Sequence, residues 1–373
     1  MDEKKSEHID PWGSVAVNAF SYLFEEFGIK PIDERMLRLF NQSPHFRRGL
    51  IMGHRDMEQI VQDIEQHKQF ILVSGFAASG EFHLGHKAII DIYRFLRQYT
   101  DIGYFAVCDL DAYISRPDKV IPTLEKAREY AVDNIANAIA LGVPSQDIYV
   151  QSQEPTEYFT LEQMISKQLN FNTMKAALGH TDTGKFTAAY LQISDILYPQ
   201  VVHGPMHTLI PVGMDQEPLI RLARDAARKL SSQYGFLLPA SVYTSHVPSL
   251  VGIEKKMSKS IPGSSIMLNS DVNAINLAVS GAFTGGRPTD EEQRRLGGNP
   301  EICPVYSFYK FHHPEDAFVT DVRTKCLGGK LMCGEDKEQM RSFLRGFSEE
   351  HMKKYKAAIP EAKRILQKSR STC

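Results

Sequence analysis

Short apolar runs alternate with stretches of helical periodicity through the middle of the chain. Residues 70–75 form an apolar run that ends at a glycine, and similar runs lie at 104–108, 148–150 and 208–212. Such runs are typical of strands that are buried on both faces of a parallel sheet. Because helical patterns separate the runs, the sequence predicts an α/β fold with a doubly wound parallel sheet.

The helical stretches carry apolar residues three and four positions apart. Before residue 271 the predicted helices are 35–40, 57–66, 79–98, 121–141 and 216–230. Beyond about residue 271 the strand signals fade, and Thr289 and Glu292 have the spacing of a capping box. The last predicted helix, residues 348–368, is rich in lysine. The pattern therefore predicts an all-helical C-terminal domain behind the α/β part.

Length, charge and cysteine content narrow the class of protein. The 373 residues are 42% hydrophobic, enough for two domains or for one large domain with an appendage. A net charge of −2 excludes a global positive field, so any nucleic-acid binding needs a local patch. Five scattered cysteines without a CxxC pair predict neither a disulfide framework nor a metal site. With no apolar leader and no membrane-length run, we expect a soluble, cytoplasmic protein.

Two short motifs carry the candidate chemistry. His83 and His86 flank Gly85 between a predicted strand and the helix that follows it. The N-terminus of a helix favours the binding of phosphate. Lys256 and Lys259 flank a serine in a polar stretch that is followed by Pro-Gly-Ser-Ser, which suits a mobile cationic loop. Either motif alone is better explained by ordinary surface residues. Together, in this order and context, they predict a clamp that stabilises the phosphates of ATP.

These two motifs, HLGH and KMSKS, resemble the signatures of class I aminoacyl-tRNA synthetases. Further segments resemble the tryptophanyl-tRNA synthetase family in its archaeal and eukaryotic branch, and with them the resemblance covers nearly the whole chain. The segments are VGMDQEP at 212–218 with Arg221, Arg224 and Asp225, AFTGGR at 282–287, GGN at 297–299, DPW at 10–12, FRRG at 46–49 and HRD at 54–56.

The resemblance implies a domain plan, a reaction and a set of partners. It implies an N-terminal extension (1–65) that packs on a Rossmann catalytic domain (66–268), a dimer-forming insertion (about 115–200) and a helical anticodon-binding domain (269–373). The carboxylate of L-tryptophan would attack the α-phosphate of ATP, giving tryptophanyl-adenylate, and the aminoacyl group would then pass to tRNA(Trp). Mg²⁺ would accompany the ATP, and the protein would be a homodimer.

The resemblance also assigns residues to the nucleotide. The catalytic residues that it implies are His83, His86, Lys256, Ser258 and Lys259. The ATP-binding residues that it implies are Gly75, Gly85, Met257 and Ser260. The histidines would contact the phosphates, the lysines would stabilise the departing pyrophosphate, and the backbone near Met257 would approach the adenine.

For tryptophan, the resemblance implies Gln192, Gln216 and Asp111 as pocket residues. Asp111 would receive the indole N–H, and such pairing rejects phenylalanine because an unmet buried acceptor is costly. Each assignment has a plainer alternative: a helix-capping aspartate for Asp111, a polar residue on a solvent face for Gln192 and a residue beside a helix N-cap for Gln216.

The chain departs from the family pattern at several positions. Val73 stands where many relatives carry a tyrosine that packs on the indole, which leaves Phe76 as a candidate for that stacking. Pro288 stands where relatives often have an aspartate that contacts the anticodon. Lys259 stands where some eukaryotic relatives have alanine, which favours an archaeal or divergent protist form.

Three rival functions fit parts of the pattern. A tyrosyl-tRNA synthetase would share the fold, but the GGR and GGN segments favour the tryptophan enzyme. A catalytically silent, synthetase-like RNA-binding protein would have no need for two intact signatures. A nucleotidyltransferase for small molecules would leave the helical C-terminal part without a purpose. The basic last helix would contact tRNA phosphates or would be an ordinary solvated face.

Overall fold

The computed structural model describes residue 11 and residues 27–259 and 261–367. The strands in this part of the chain are β1 (Ile51–Arg55), β2 (Ile71–Ala77), β3 (Ile102–Cys108), β4 (Ile148–Val150), β5 (Thr208–Gly213), β6 (Ala240–Thr244), β7 (Pro248–Ser249) and β8 (Gly252–Lys256). The helices through residue 203 are α1 (Glu34–Leu39), α2 (Pro44–Arg47), α3 (Met57–Glu65), α4 (Leu84–Leu96), α5 (Asp109–Ser115), α6 (Leu124–Ala140), α7 (Thr156–Gln168), α8 (Phe171–Leu178) and α9 (Thr183–His203). The later helices are α10 (Glu217–Tyr234), α11 (Val272–Gly281), α12 (Asp290–Leu296), α13 (Pro304–His312), α14 (Asp316–Leu327) and α15 (Cys333–Gln367).

Six strands form one sheet in the order β1-β6-β5-β2-β3-β4, and β7 and β8 form a separate antiparallel hairpin. Strands β2 to β6 of the large sheet are parallel, which confirms the predicted doubly wound α/β fold. The chain order reverses between β2 and β5, and the carboxyl ends of strands at such a switch point leave a crevice for ligands.

Strand β2 separates two apolar cores because successive side chains of a strand point to opposite faces. Leu72 packs in a core that also holds residues of α4, α6 and α15. Ile71 and Val73 pack in a second core, built largely from α7, α9 and α10. Helices therefore cover both faces of the sheet, as the continuous apolar runs predict.

Two strands of the sheet carry no clear signal in the sequence. Strand β1 pairs antiparallel with β6 at the sheet edge, so the segment before residue 66 contributes a strand as well as packing contacts. Its sequence, IMGHR, ends in polar residues, and β6, ASVYT, is short and interrupted by serine and threonine. Neither matches a continuous apolar run, which is why the pattern misses both.

The C-terminal part is helical, as predicted, but its last helix begins much earlier than residue 348. Helix α15 starts at Cys333 and runs for 35 residues, about 52 Å at 1.5 Å per residue. It packs along α6 of the α/β part and continues through Pro360. Within the described residues, no helix is long and apolar enough to cross a membrane.

Candidate functional site

A cavity of about 1140 Å³ opens at the switch point, beside the carboxyl ends of β2, β3, β5 and β6. It brings together all the predicted site residues that the structure describes, although the two motifs lie far apart in the sequence. These residues are Gly75, His83, Gly85, His86, Asp111, Gln192, Gln216, Lys256, Met257, Ser258 and Lys259. Ser260 lies outside the described residues.

His83 and His86 form the N-terminal cap of α4. His83 is the N-cap residue, and its Nδ1 accepts a hydrogen bond of 3.1 Å from the backbone N–H of Gly85. The Nδ1 of His86 accepts a reciprocal bond of 3.0 Å from the backbone N–H of His83. A side-chain carbon at position 85 would lie 2.8 Å from the ring of His83, so glycine gives the ring its place. Two histidines thus replace the serine and glutamate of an ordinary capping box.

Both rings are neutral donors. Burial lowers the pKa of His83 to about 3, helped by the charges of Lys259 and Lys256. Burial also lowers the pKa of His86 well below its usual value. Because each Nδ1 accepts a hydrogen bond, the single proton of each neutral ring resides on Nε2. The pair therefore offers two N–H donors without carrying positive charge.

Aromatic packing fixes the second histidine. Phe82 stacks on His86 with ring centroids 4.6 Å apart, and Phe76 meets the same imidazole edge-on at 4.9 Å. Phe76 also packs edge-on against Phe82 and Phe105. Phe76, the candidate for stacking on the indole, lines the cavity, but its ring contacts lie on the histidine side.

Lys256, the last residue of β8, forms an ion pair of 2.5 Å with Asp215, which also lies 3.0 Å from the ring of His246. Burial alone would raise the pKa of Asp215, but electrostatic attraction and hydrogen bonds from His246 and Lys256 hold it well below its usual range. The next residue, Met257, is buried and donates its backbone N–H to Val247 over 2.9 Å. The start of the lysine motif is therefore fixed in place.

Lys259 lies across the cavity beside the loop that precedes α4. Gly80 in that loop has a φ of +145°, and a side-chain carbon there would lie 2.6 Å from the ammonium nitrogen of Lys259. Desolvation, followed by the charge of Arg116, lowers the pKa of Lys259 to about 8, although part of the side chain is exposed. Arg116 lines the cavity, and its buried Nε has no hydrogen-bond partner among the described residues. Arg116 belongs to neither motif, so this third cation carries no signal in the sequence.

Backbone hydrogen bonds connect the two motifs directly. Met267 forms a β-bridge with His83, and Leu84 donates its N–H to Ile266 over 3.1 Å. The N–H of Leu268 in turn bonds Phe82 over 2.8 Å. The segment after the lysine motif is thus bonded to the histidine motif, which sets the width of the cavity between them.

At the other end of the cavity, the two predicted glutamines touch. Gln192 of α9 donates its amide to the side-chain oxygen of Gln216 over 3.1 Å. Gln216 ends the single turn that joins β5 to α10, and its amide lies 3.4 Å from the carbonyl of Pro11. Both glutamines line the cavity rather than an open solvent face.

Asp111 lies in the first turn of α5 and is buried. Its Oδ1 accepts a hydrogen bond of 2.8 Å from Ser115, one turn later, and burial raises its pKa. The N-cap of α5 is Cys108, which makes no side-chain capping bond. The structure therefore gives Asp111 a place in the cavity wall instead of a capping role.

A second carboxylate, Asp195, was missed. It lies one turn after Gln192 on α9, lines the cavity and accepts hydrogen bonds from the hydroxyls of Tyr149 (2.9 Å) and Tyr158 (2.8 Å) and from the amide of Gln151 (2.8 Å). Burial raises its pKa to about 7 despite these donors. The signal available in the sequence was an aspartate three positions after a glutamine in the mostly apolar stretch AAYLQISDILY at 188–198.

Comparison with known proteins identifies the family of proteins to which this chain belongs. The profile of the family "tRNA synthetases class I (W and Y)" matches residues 65–348, which include both motifs and every predicted site residue. The chain therefore belongs to the class I tRNA synthetases of the tryptophan and tyrosine type.

Within that family the chain falls among the tryptophan–tRNA ligases. It is 36% identical to the tryptophan–tRNA ligase of Aeropyrum pernix, over 98% of this chain and 99% of the relative. It is also 36% identical to that of Methanocaldococcus jannaschii, over 95% and 98% of the two chains. The crystal structure of the Aeropyrum pernix tryptophanyl-tRNA synthetase superposes with a TM-score of 0.86, covering 95% of this chain and 98% of that one. Both relatives are archaeal, in keeping with the resemblance.

Proposed function

We propose that this chain is a tryptophan–tRNA ligase that activates tryptophan with ATP and passes it to tRNA. The observation that carries the proposal is the meeting of the histidine cap and the lysine motif across one cavity, with two glutamines and two carboxylates at its other end. The family membership and the full-length match to tryptophan–tRNA ligases support the same reaction.

In the first step, a carboxylate oxygen of tryptophan forms a bond to the α-phosphorus of ATP. The bond from that phosphorus to the bridging oxygen breaks, and pyrophosphate leaves with the electron pair. Such a reaction needs positioning and charge stabilisation more than covalent help. The Nε2–H groups of His83 and His86 would donate to phosphate oxygens, and backbone at Gly75 and Gly85 would let the nucleotide approach closely.

The cationic wall would stabilise the departing pyrophosphate. Lys256 is already paired with Asp215, so Lys259 and Arg116 supply the charge that is least neutralised in the free protein. Ser258, whose backbone N–H is held by Ser264 over 3.1 Å, would keep this loop in register. Mg²⁺ binds phosphates readily while needing few protein ligands, so we expect it to enter with ATP.

At the amino-acid end, Gln192 and Gln216 would bind the polar groups of tryptophan, and a carboxylate would receive the indole N–H. Asp111 is the residue that the family resemblance implies, and Asp195 is the alternative that the cavity adds. If Asp111 is the acceptor, Asp111→Asn will lower kcat/KM for tryptophan by about 10²-fold or more, while Asp195→Asn changes it less. The reverse order would assign the role to Asp195.

In the second step, the terminal ribose hydroxyl of tRNA(Trp) attacks the carbonyl carbon of the adenylate, an ester forms and AMP leaves. We propose that residues 269–373 read the anticodon. The GGR and GGN segments pack as one unit there, because Asn299 donates its N–H to Gly285 over 2.7 Å and no side chain fits at Gly285. Arg287 and Pro288 are exposed beside this unit, where RNA can reach them.

We also propose a homodimer that is built by the insertion at about 115–200. Helices α7, α8 and α9 lie in or at the end of this insertion, and apolar side chains such as Phe171 and Val202 are exposed on or beside it. Sedimentation equilibrium will give twice the mass of 42.1 kDa if the proposal is right.

The remaining domain plan follows the family resemblance: residues 1–65 would be the N-terminal extension, and residues 66–268 would be the catalytic domain. A cytoplasmic location follows from the proposed use of tRNA in translation.

The amino-acid dependence of ATP–pyrophosphate exchange tests the proposed function. Exchange that requires tryptophan, followed by charging of tRNA(Trp), is the expected result. Exchange driven by tyrosine alone would show the tyrosine enzyme instead. Absence of exchange in the wild-type protein, together with unchanged RNA binding in His86→Ala, would indicate a silent RNA-binding relative.

A further inference from the structure

A cluster of hydrogen bonds on helix α6 joins the C-terminal helix to the catalytic loops. Asp133 of α6 accepts a bond of 2.8 Å from the hydroxyl of Tyr355 in α15. The same Oδ1 accepts a bond of 2.9 Å from the amide of Asn269, which follows the segment that bridges the two motifs. Its Oδ2 accepts a bond of 3.1 Å from Asn137, one turn along α6. The half-buried carboxylate of Asp133 thus connects α6, α15 and the segment at residue 269 by hydrogen bonds.

Neighbouring contacts reinforce this junction. On α15, Ser348 donates its hydroxyl to the carbonyl of Ser270 over 3.1 Å, and His351 lies 2.8 Å from the side-chain oxygen of Asn137. Residues 348, 351 and 355 occupy one face of the helix because of their spacing. The segment at 269–270 is therefore hydrogen-bonded both to α15, through Ser348, and to α6, through Asp133.

The same turn of α6 also contacts the nucleotide side of the cavity. Asn134 is fully buried and donates its amide to the carbonyl of Gly80 over 3.0 Å. Gly80 leaves the space that the ammonium of Lys259 occupies. Helix α6 consequently fixes the loop before α4 through Asn134 and the segment after the lysine motif through Asp133.

We propose that Asp133 is a positioning residue for the activation step, and this inference rests on the proposed function. By tying Asn269 to Tyr355, it holds residues 266–268 against the histidine cap and so sets the distance between the two motifs. Asp133 touches no substrate in this account. Asp133 instead sets the width of the cavity around the phosphates. We therefore expect it to affect the kinetics with ATP and to leave tryptophan binding unchanged.

Tyr355→Phe removes only the hydroxyl that bonds Asp133 and tests the proposal with little change in packing. We expect kcat/KM for ATP in pyrophosphate exchange to fall at least fivefold, while KM for tryptophan stays within twofold. Gln192 and Gln216 lie on elements that none of these hydrogen bonds reaches, which is why the tryptophan end should be spared. In the double variant Tyr355→Phe/Asn269→Ala, the fold loss in kcat/KM for ATP should be smaller than the product of the two single losses, since both side chains bond the same carboxylate.

Tyr309→Phe is the matched control. It removes a buried tyrosine hydroxyl that donates to the carbonyl of Asp336 in α15 over 2.9 Å, and this bond reaches neither Asp133 nor the segment at 266–270. We expect a similar loss of thermal stability with unchanged kinetics. Equal kinetic losses in Tyr355→Phe and Tyr309→Phe, or equal losses for ATP and tryptophan in Tyr355→Phe, would overturn the positioning role.

A binding readout separates this inference from the proposed function. ATP should raise the melting temperature of the wild-type protein more than that of Tyr355→Phe, whether or not exchange occurs. If the wild-type protein shows this ATP shift but no tryptophan-dependent exchange, the proposed function fails and the positioning role of Asp133 survives. If ATP shifts both proteins equally, the positioning role fails.

Discussion

The histidines act as neutral hydrogen-bond donors, and this property comes from burial and capping rather than from their sequence spacing. Sequence analysis identified His83 and His86 because they flank a glycine at a strand–helix junction. It could not determine their charge, which depends on the rings that bury them and on nearby lysines. For the same reason it missed Arg116 and Asp195, since neither stands in a motif and both line the cavity only because of where the fold places them.

We expect the removal of the Lys259 side chain to separate catalysis from tryptophan binding. We expect Lys259→Ala to lower the rate of adenylate formation by about 10²–10³-fold, because the negative charge on pyrophosphate develops mainly in the transition state. The dissociation constant for tryptophan should change less than twofold. Single-turnover kinetics and tryptophan titration measure the two quantities. Lys255→Ala, which changes a neighbouring lysine that does not line the cavity, is the control, and equal losses in rate and tryptophan affinity would contradict the assignment.

The lowered pKa of Lys259 predicts a pH dependence. A lysine is charged below its pKa, so a value of about 8 means that charge is lost as pH rises through 8 in the free protein. We expect kcat/KM for ATP to fall between pH 7.5 and 9, as measured by exchange in constant ionic strength. The arginine in Lys259→Arg keeps its charge throughout this range, so kcat/KM for ATP should fall less in this variant. If the fall is the same in Lys259→Arg, the titrating group is not Lys259.

At the scale of elements, the continuous apolar runs predicted β2 to β5 because buried parallel strands have such runs, and helical periodicity predicted fewer than half of the described helices, among them α3, α4, α6 and α10. It placed the start of α4 at residue 79, whereas the structure begins this helix at Leu84 with His83 as its cap. Capping by histidine lies outside the usual preference for serine, threonine, aspartate and asparagine, so the signal was absent. The early start of α15 was missed because glycines and charged residues interrupt its pattern.

Gly85→Ala tests whether the histidine cap is a functional element. The added methyl group would meet the ring of His83 at 2.8 Å, and this side chain can yield by rotating away from its N-cap position. We expect kcat/KM for ATP to fall more than tenfold with a loss of about 1 kcal/mol in stability or less. Gly346→Ala is the control, since open space surrounds that position of α15 and alanine favours helix there. A Gly85→Ala protein with wild-type exchange would exclude the cap from catalysis.

At the scale of the whole molecule, the sheet topology makes one site from two distant motifs. The switch between β2 and β5 opens the crevice, and the segment at 266–268 closes it by pairing with the histidine cap. The order and local context of the two motifs predicted that they meet, and the family resemblance implied the same. It could not predict the backbone bridge or the contacts of α15, since both depend on pairings between residues far apart in the chain.

The most direct test of the central claim is a crystal structure of the protein with a non-hydrolysable analogue of tryptophanyl-adenylate. The account predicts that the adenylate phosphate group lies at hydrogen-bond distance, about 2.7–3.2 Å, from donors of the histidine cap, with Lys259 on the opposite side and the indole beside Gln192 and a buried carboxylate. An analogue bound outside this cavity, or one whose phosphate group contacts neither His83, His86 nor Lys259, would contradict it.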